Sequence, residues 1–204
     1  VVRALGSDRL IIHTYHHADD AGPLRRYEYA ARITQQYLVD YIIAIDDDLI
    51  FRGPNQLQRL WDQRLPNGMG CFYGKTFKRN MGYWDSVVAP GIRGVTQGAH
   101  PEVTRWHYCG AGLSIIDAQF WRIWDSHIRK IPTQFHLVED LWSSYLLKLA
   151  NWDSYRVFLN VSDANYFPNV LNKSAALWNR GNMRKSKQDF FVWLKDKCGW
   201  SVGA

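Results

Sequence analysis

A run of apolar residues that ends in three consecutive aspartates constrains this chain more than any other feature. Tyr41 to Ile45 reads Tyr-Ile-Ile-Ala-Ile, and Asp46, Asp47 and Asp48 follow it directly. A short, continuous apolar run predicts a strand covered on both faces, as in a parallel sheet. Three adjacent carboxylates repel one another, so their position after such a strand indicates a bound cation. The alternative is a solvated acidic turn that caps the next segment.

Asp46 and Asp48 are the candidate metal ligands of this triplet. Alternate residues of an extended segment point to the same side, so these two carboxylates can converge while Asp47 points elsewhere. Hard oxygen ligands of this kind suit Mn²⁺ or Mg²⁺. In open α/β sheets, ligands bind outside the carboxyl ends of the strands, which is where the triplet falls.

The residues before this run predict a strand and a helix. Leu10 to Tyr15 is apolar and β-branched, which predicts a buried strand. After Pro23, small or apolar residues recur at the spacing of an amphipathic helix: Leu24, Tyr27, Ala31, Thr34 and Leu38. Strand, helix and strand at this spacing predict a βαβ unit and therefore the α/β class.

The second half of the chain predicts further elements of the same kind. They are a strand over 113–116, a helix over 118–128, a helix that begins with Glu139 and Asp140, and a short basic helix over about 187–197. Phe120, Trp121 and Trp124 are expected on the buried face of the first of these helices. Residues 68–109 read as short strands and long loops, which on an α/β frame often form the substrate side.

Length and charge predict one domain with no dedicated nucleic-acid face. The 204 residues suffice for a single domain over 1–204, with 180–204 as a basic C-terminal segment. Of the six net positive charges, four come from that segment. The rest of the chain is close to neutral, so no nucleic-acid partner is expected.

The cysteines and the hydropathy pattern bear on the compartment. Cys71, Cys109 and Cys198 are odd in number and lack C-x-x-C spacing, which argues against a disulfide framework and a structural zinc site. No apolar run approaches about 20 residues, and the first residues do not form a signal peptide. We therefore expect no transmembrane segment and a cytoplasmic location.

Together these motifs resemble the GT-A glycosyltransferases, in which an apolar strand ends in a DxD motif that holds a metal ion and a nucleotide diphosphate. Here the strand is 42–45 and the motif is Asp46-x-Asp48. The resemblance extends to Arg26, to the glycine-containing segment 108–112 and to the later acidic pair Glu139-Asp140, and so covers residues 10–150. The small glycosyltransferases of large DNA viruses and bacteria look most similar.

The resemblance implies a GT-A (nucleotide-diphospho-sugar transferase) fold, with a mixed central sheet flanked by helices. It implies a nucleotide-sugar donor, a UDP-sugar by the family's habit, and a glycan or glycoprotein acceptor, with Mn²⁺ or Mg²⁺ as a Lewis acid. The donor site would comprise Arg26, Asp46, Asp47, Gly110, Ala111 and Gly112. Asp140, preceded by Glu139, would be the catalytic residue that accepts the proton of the acceptor hydroxyl. Trp106, His107 and Tyr108 would contact the sugar or the acceptor.

Several of these residues could have a purely structural role instead. Arg26 reads equally well as a solvent-facing helix residue, and Asp140 as a carboxylate that complements a helix dipole. Gly110 and Gly112 are nearly as typical of a bulge or tight turn as of a close approach to a sugar. Most of the aromatic rings are expected to pack in the core rather than to bind a ligand.

The chain departs from the family pattern in two places. Many relatives supply a further metal ligand from a histidine near the C-terminus, but here the last histidine is His136. Asp163 is the best remaining acidic candidate in that region. The family's opening strand and helix, which contact the nucleotide base, have no counterpart before Leu10, so we expect the chain to lack that first strand.

Other classes of function use some of the same features. A metal-dependent phosphoryl-transfer enzyme or nuclease could use the aspartates, but it usually needs further carboxylates for two metals. A non-catalytic carbohydrate-binding domain would explain the aromatic residues without the acidic triplet. Nucleic-acid binding through the basic C-terminus would predict strongly salt-dependent affinity.

Overall fold

A four-stranded mixed sheet lies at the centre of the fold. The computed structural model describes residues 22–46, 56–77, 82–85, 87–88, 105–110, 112–127, 130–157 and 182–202. The strands of the central sheet are β1 (Tyr41–Ile45), β2 (Gly68–Cys71), β6 (Leu113–Asp117) and β7 (Asp153–Arg156). Their order is β1-β6-β2-β7; β6 runs antiparallel to both neighbours, and β2 runs parallel to β7.

A smaller antiparallel sheet and five helices complete the described elements. The strands of the smaller sheet are β3 (Gly74–Thr76), β4 (Val87–Val88) and β5 (Tyr108–Cys109), in the order β4-β3-β5. The helices are α1 (Leu24–Gln36), α2 (Gln56–Asp62), α3 (Phe120–His127), α4 (Glu139–Leu149) and α5 (Met183–Cys198). Short 3-10 turns cover Tyr83–Asp85 and Thr133–Val138. The chain is thus a mixed α/β protein, as the sequence predicts.

Helix α1 buries most of the predicted stripe against α3. Tyr27 is fully buried, and its ring centroid lies 5.1 Å from that of Trp121 and 4.7 Å from that of Trp124. Leu24 and Ala31 are also buried, as predicted. Leu38 is the exception, because α1 ends at Gln36 and the Leu38 side chain is fully exposed.

Strand β1 differs from its prediction in pairing and in burial. Its described partner is β6, and the two strands are antiparallel, with Tyr41 opposite Asp117 and Ile45 opposite Leu113. The β1 side chains are only half-buried, and Ile45 is 42% exposed. Antiparallel pairs tolerate a partly solvated face, so a continuous apolar run does not guarantee burial on both faces. The predicted strand over 10–15 lies outside the described residues.

The elements predicted for the second half of the chain are confirmed. All five residues of β6 are buried, and α3 buries Phe120, Trp121 and Trp124 as predicted. Helix α4 begins at Glu139, as the acidic pair indicated. None of the described helices combines the length and the apolar character that crossing a bilayer requires.

The basic C-terminal segment contains a helix that is part of the core. Helix α5 is longer than the predicted 187–197 and buries four side chains: Met183, Phe190, Phe191 and Leu194. The ring of Phe190 stacks on Phe135 with centroids 4.4 Å apart. The helix ends at Gly199, whose positive φ of 68° favours glycine. The basic segment therefore packs on the rest of the protein through the apolar face of α5.

This packing predicts the effect of two substitutions on the same helix. We expect Phe190→Ala to lower the free energy of unfolding by about 3–5 kcal/mol, because a fully buried ring is replaced by a cavity. The matched control Val192→Ala shortens a side chain that is 42% exposed, and it should change the free energy of unfolding by less than about 0.5 kcal/mol. Urea unfolding followed by circular dichroism measures both. Equal, small effects would mean that α5 does not belong to the core.

Candidate functional site

A cluster of charged side chains lies where β1 ends and α4 begins. Arg26 extends from α1, Asp46 follows the last residue of β1, and Glu139 is the first residue of α4. Arg26 Nη1 donates a hydrogen bond to Asp46 Oδ1, and Arg26 Nε lies 3.9 Å from Glu139 Oε1. Arg26 is therefore not a purely solvent-facing residue, because its guanidinium joins two carboxyl groups from different elements.

Gly112 determines the space around the Asp46 carboxylate. The Asp46 backbone N–H donates to the Gly112 carbonyl oxygen at 2.7 Å. A Cβ at Gly112 would lie 2.9 Å from Asp46 Oδ2, so a larger residue would displace the carboxylate. At Gly110, a Cβ would instead meet the Tyr73 ring at 3.0 Å. The two glycines thus have different described neighbours, and Gly112 is the one that contacts Asp46.

Burial changes the ionisation of Glu139. Its side chain is 4% exposed, and burial followed by the nearby charge of Asp140 raises the pKa of Glu139 to about 8, although Arg26 opposes the shift. The group is therefore mainly protonated at neutral pH. Two adjacent residues of the acidic pair thus differ in environment, which is typical of carboxyl groups with different tasks.

Asp140 is held by three hydrogen bonds from three elements. Its Oδ2 accepts from the Tyr108 hydroxyl of β5 and, at 3.0 Å, from the Lys187 ammonium of α5. Its Oδ1 accepts from the backbone N–H of Leu141 at 2.9 Å, which satisfies one of the unpaired N–H groups at the start of α4. The helix-terminal role and a catalytic role are therefore compatible in the same side chain.

Ser144 fixes the distance between β5 and α4. The Cys109 backbone N–H donates to Ser144 Oγ at 3.0 Å, and Ser144 Oγ donates to the Asp140 carbonyl oxygen at 2.7 Å. Because Ser144 is fully buried, water does not compete for these bonds. The result is a rigid connection behind the contact of Tyr108 with Asp140.

Tyr108 and Lys187 keep the protons that they donate. Burial first, and then the charge of Asp140, raises the pKa of the Tyr108 phenol well above its ordinary value. Burial is the largest single effect and lowers the pKa of Lys187, but the charges of Asp140, Tyr83 and Glu139 and the hydrogen bond to Asp140 together raise it. Both side chains therefore act as hydrogen-bond donors to Asp140 at neutral pH.

Lys187 is a site residue that the sequence reasoning missed. The signal for it is positional, because Lys187 lies on the apolar stripe of α5, four residues after Met183 and three before Phe190. A lysine on a buried stripe indicates a partner of opposite charge. Only the folded chain identifies that partner, since 47 residues separate Lys187 from Asp140.

Two of the three predicted sugar contacts have partners away from the carboxylates. Trp106 is buried, and its ring fills the space that a Cβ at Gly74 would occupy. His107 Nδ1 accepts from the Phe77 backbone N–H at 2.8 Å, and the two rings are stacked. Burial, and then Lys148, lower the pKa of His107, so the ring is neutral. Of the predicted trio, Tyr108 donates to Asp140, whereas the described contacts of Trp106 and His107 are with Gly74 and Phe77.

Asp46 is the only residue of the predicted metal site that lies among the described residues. Asp46 offers a carboxylate whose side chain is 36% exposed, at the carboxyl end of β1 and beside the open space of Gly112. Asp47, Asp48, Ala111 and Asp163 lie outside the described residues. Within the described stretches, no three histidine, cysteine or acidic side chains gather as ligands. A carboxylate oxygen is the type of ligand that Mn²⁺ and Mg²⁺ prefer, and Asp46 supplies one directly after β1.

The raised pKa of Glu139 predicts a pH-dependent effect of Glu139→Gln. A carboxyl group with a higher pKa in the folded than in the unfolded protein destabilises the fold increasingly as pH rises from its ordinary pKa to its folded one. Between about pH 5 and pH 8, the free energy of unfolding of the wild type should therefore fall relative to that of the variant, by more than about 1 kcal/mol. Urea unfolding at several pH values tests this. A difference that stays constant over the range would contradict it.

Comparisons with known proteins give no family for this chain. No protein-family model matches the sequence. A search of curated proteins likewise finds no match. The assignment of function therefore depends on the residues and the geometry described above.

Proposed function

We propose that this chain is a metal-dependent glycosyltransferase of the GT-A type. It moves a hexose or deoxyhexose from a nucleotide-diphosphate donor, a UDP-sugar by the resemblance, to a hydroxyl of a glycan or glycoprotein. The observation that supports this best is the contact of Arg26, from α1, with Asp46 after β1 and with Glu139, which begins α4 and precedes Asp140. Arg26, Asp46 and the pair Glu139-Asp140 are far apart in the sequence and are the positions to which the resemblance extends.

The donor half of the proposed site is formed by Asp46, Asp48 and Arg26. Asp46 and Asp48 would hold Mn²⁺ or Mg²⁺, which supplies a Lewis acid for the diphosphate leaving group. Arg26 already has its guanidinium at the Asp46 carboxylate, so it places a permanent positive charge where phosphates would bind. Gly112 keeps the same space free of side-chain atoms.

The acceptor half is formed by Asp140. Its carboxylate takes the proton of the attacking hydroxyl, as a general base does. Glu139 is mainly protonated at neutral pH and so is suited to donating a hydrogen bond rather than to accepting a proton. The exposed ring of Tyr73, whose centroid lies 6.5 Å from that of Tyr108, offers a sugar-stacking surface beside this carboxylate.

The geometry favours this function over a two-metal nuclease. Such an enzyme needs several ionised carboxylates that are free to bind two cations. Here Asp140 already accepts hydrogen bonds from Lys187 and Tyr108, and Glu139 is mainly protonated. A purely carbohydrate-binding domain would have no need of these buried charges, whose desolvation is costly.

The proposed function predicts that nucleotide binding depends on a metal ion. Isothermal titration should detect UDP binding in the presence of Mn²⁺ and a loss of at least about tenfold in affinity with EDTA or in Asp48→Ala, because Asp46 and Asp48 would hold the ion that supplies positive charge for the diphosphate. The control Asp62→Ala removes an exposed carboxylate at the end of α2 and should bind like the wild type. Equal UDP affinity with Mn²⁺ and with EDTA, or tight binding of a polynucleotide instead, would contradict the proposal.

The role of Asp140 gives a second prediction. Asp140→Asn should keep UDP affinity within about threefold but lower the rate of sugar transfer by about 10²- to 10⁴-fold, because the amide cannot accept the proton. The rate is that of UDP release from whichever UDP-sugar of a panel the wild type uses fastest. Asp189→Asn, an exposed carboxylate on α5, is the matched control and should react at the wild-type rate. Wild-type rates in both variants would exclude Asp140 as the base.

A further inference from the structure

Lys187 is a charged residue at an apolar position. The buried side chains of α5 follow helical spacing, and Lys187 lies among them rather than on the outer face. Its side chain is only 16% exposed. By contrast Lys185, two residues earlier, is 71% exposed and pairs with Asp189 on the helix surface. The two lysines thus have different environments on the same helix, which makes one a control for the other.

Lys187 fixes the orientation of the Asp140 carboxylate. Its Nζ lies 3.0 Å from Asp140 Oδ2 and 3.3 Å from the Tyr108 hydroxyl, which donates to the same Oδ2. Oδ1 accepts from the Leu141 backbone N–H. A carboxylate offers about four acceptor positions, so these bonds leave one, on Oδ1. The free position is the one from which a proton can be accepted.

No other described cation can take the place of Lys187. Among the described residues, the ion pair of the Asp140 carboxylate is with Lys187, whose Nζ lies 3.0 Å from Oδ2. Arg26 is directed to Asp46 and Glu139. Lys75 is buried, but its ammonium lies 3.9 Å from the centroid of the Tyr83 ring, and burial followed by the charge of Lys187 lowers the pKa of Lys75 to about 8.

Stability alone does not account for this buried pair. Removing two charges from water is costly, and replacing a buried ion pair with apolar residues of similar size is often neutral or stabilising. The rings of Tyr83 and Tyr108 lie 5.7 and 5.6 Å from the Lys187 ammonium, so an apolar pair would find apolar neighbours there. The charge on α5 is therefore better explained by what the Asp140 carboxylate does.

We infer that Lys187 is a positioning residue for sugar transfer, which engages Oδ2 of Asp140 and leaves Oδ1 to accept the proton of the acceptor hydroxyl. This inference rests on the proposed function, because the orientation of Asp140 matters only if it accepts that proton. In a direct displacement, the acceptor O–H bond breaks and its proton passes to Oδ1. The oxygen forms a bond to the sugar carbon, and the sugar–phosphate bond breaks with its electron pair on the diphosphate. Lys187 keeps its own proton throughout.

Lys187→Met tests this inference against Lys185→Met as the matched control. UDP affinity is measured by titration of UDP into the protein in the presence of Mn²⁺. The kcat of UDP release is measured on the UDP-sugar that the wild type uses fastest. Each kcat is then divided by the folded fraction of the variant, measured by circular dichroism. We expect Lys187→Met to lower kcat by about 10- to 100-fold with UDP affinity unchanged within about twofold, because only the orientation of the base is lost. Lys187→Arg keeps the charge and should recover most of the rate. Lys185→Met should behave like the wild type.

Three results would overturn the inference. One is a kcat of Lys187→Met equal to that of Lys185→Met. Another is a loss of UDP affinity as large as the loss of kcat, which would make Lys187 a donor ligand. The third is no recovery in Lys187→Arg. If Lys187→Met does not fold, Tyr108→Phe is measured in its place. This variant keeps the ion pair of Lys187 with Asp140 but removes the hydrogen bond from the Tyr108 hydroxyl to Oδ2. An unchanged kcat of Tyr108→Phe would then count against the inference. A wild type that neither binds UDP nor releases it would instead refute the proposed function itself.

Discussion

The two carboxyl groups at the start of α4 are matched with cations from opposite ends of the described chain, and the site depends on this pairing. Arg26 comes from α1 and lies beside Glu139 and Asp46, whereas Lys187 comes from α5 and binds Asp140. Buried charges are tolerated only when they are paired or neutralised. The first and the last described helices therefore each supply a cation to the carboxyl groups at the start of α4, which links the site to the packing of the fold.

Helix α4 can hold this arrangement because it is itself embedded in the core. Its residues Leu141, Trp142, Leu146 and Leu147 are buried, and Ser144 ties it to β5. Aromatic rings surround it on the side of α5, where Trp142 stacks on Phe190. A high aromatic content is thus used mainly for packing around the charged cluster. Close packing limits the movement of the carboxylates, which is what a preorganised site requires.

The sequence predicts the helices and strands that depend on local periodicity. It does not predict strand pairing or side-chain partners, which depend on tertiary contacts. Helices α3, α4 and α5 follow from their apolar spacing, and the contact between Arg26 and Asp46 agrees with the order of the motifs. The apolar spacing continues to Leu38, two residues beyond the end of α1 at Gln36, because neither glycine nor proline marks the end of the helix. The antiparallel pairing of β1 with β6 could not be read from an apolar run that suits either direction. Lys187 was missed because a basic helix usually presents its charges to water, and burial of this one is set by Asp140, far away in the sequence.

The proposed function requires the carboxylates after β1 to bind a metal ion together with a nucleotide diphosphate. The most direct measurement is a crystal structure with Mn²⁺ and UDP, in which anomalous scattering locates the metal. We expect an anomalous peak in direct contact with carboxylate oxygens of the Asp46–Asp48 triplet and with the diphosphate, with Arg26 beside the phosphates. A peak elsewhere, or UDP bound away from Asp46 and Arg26, would contradict it.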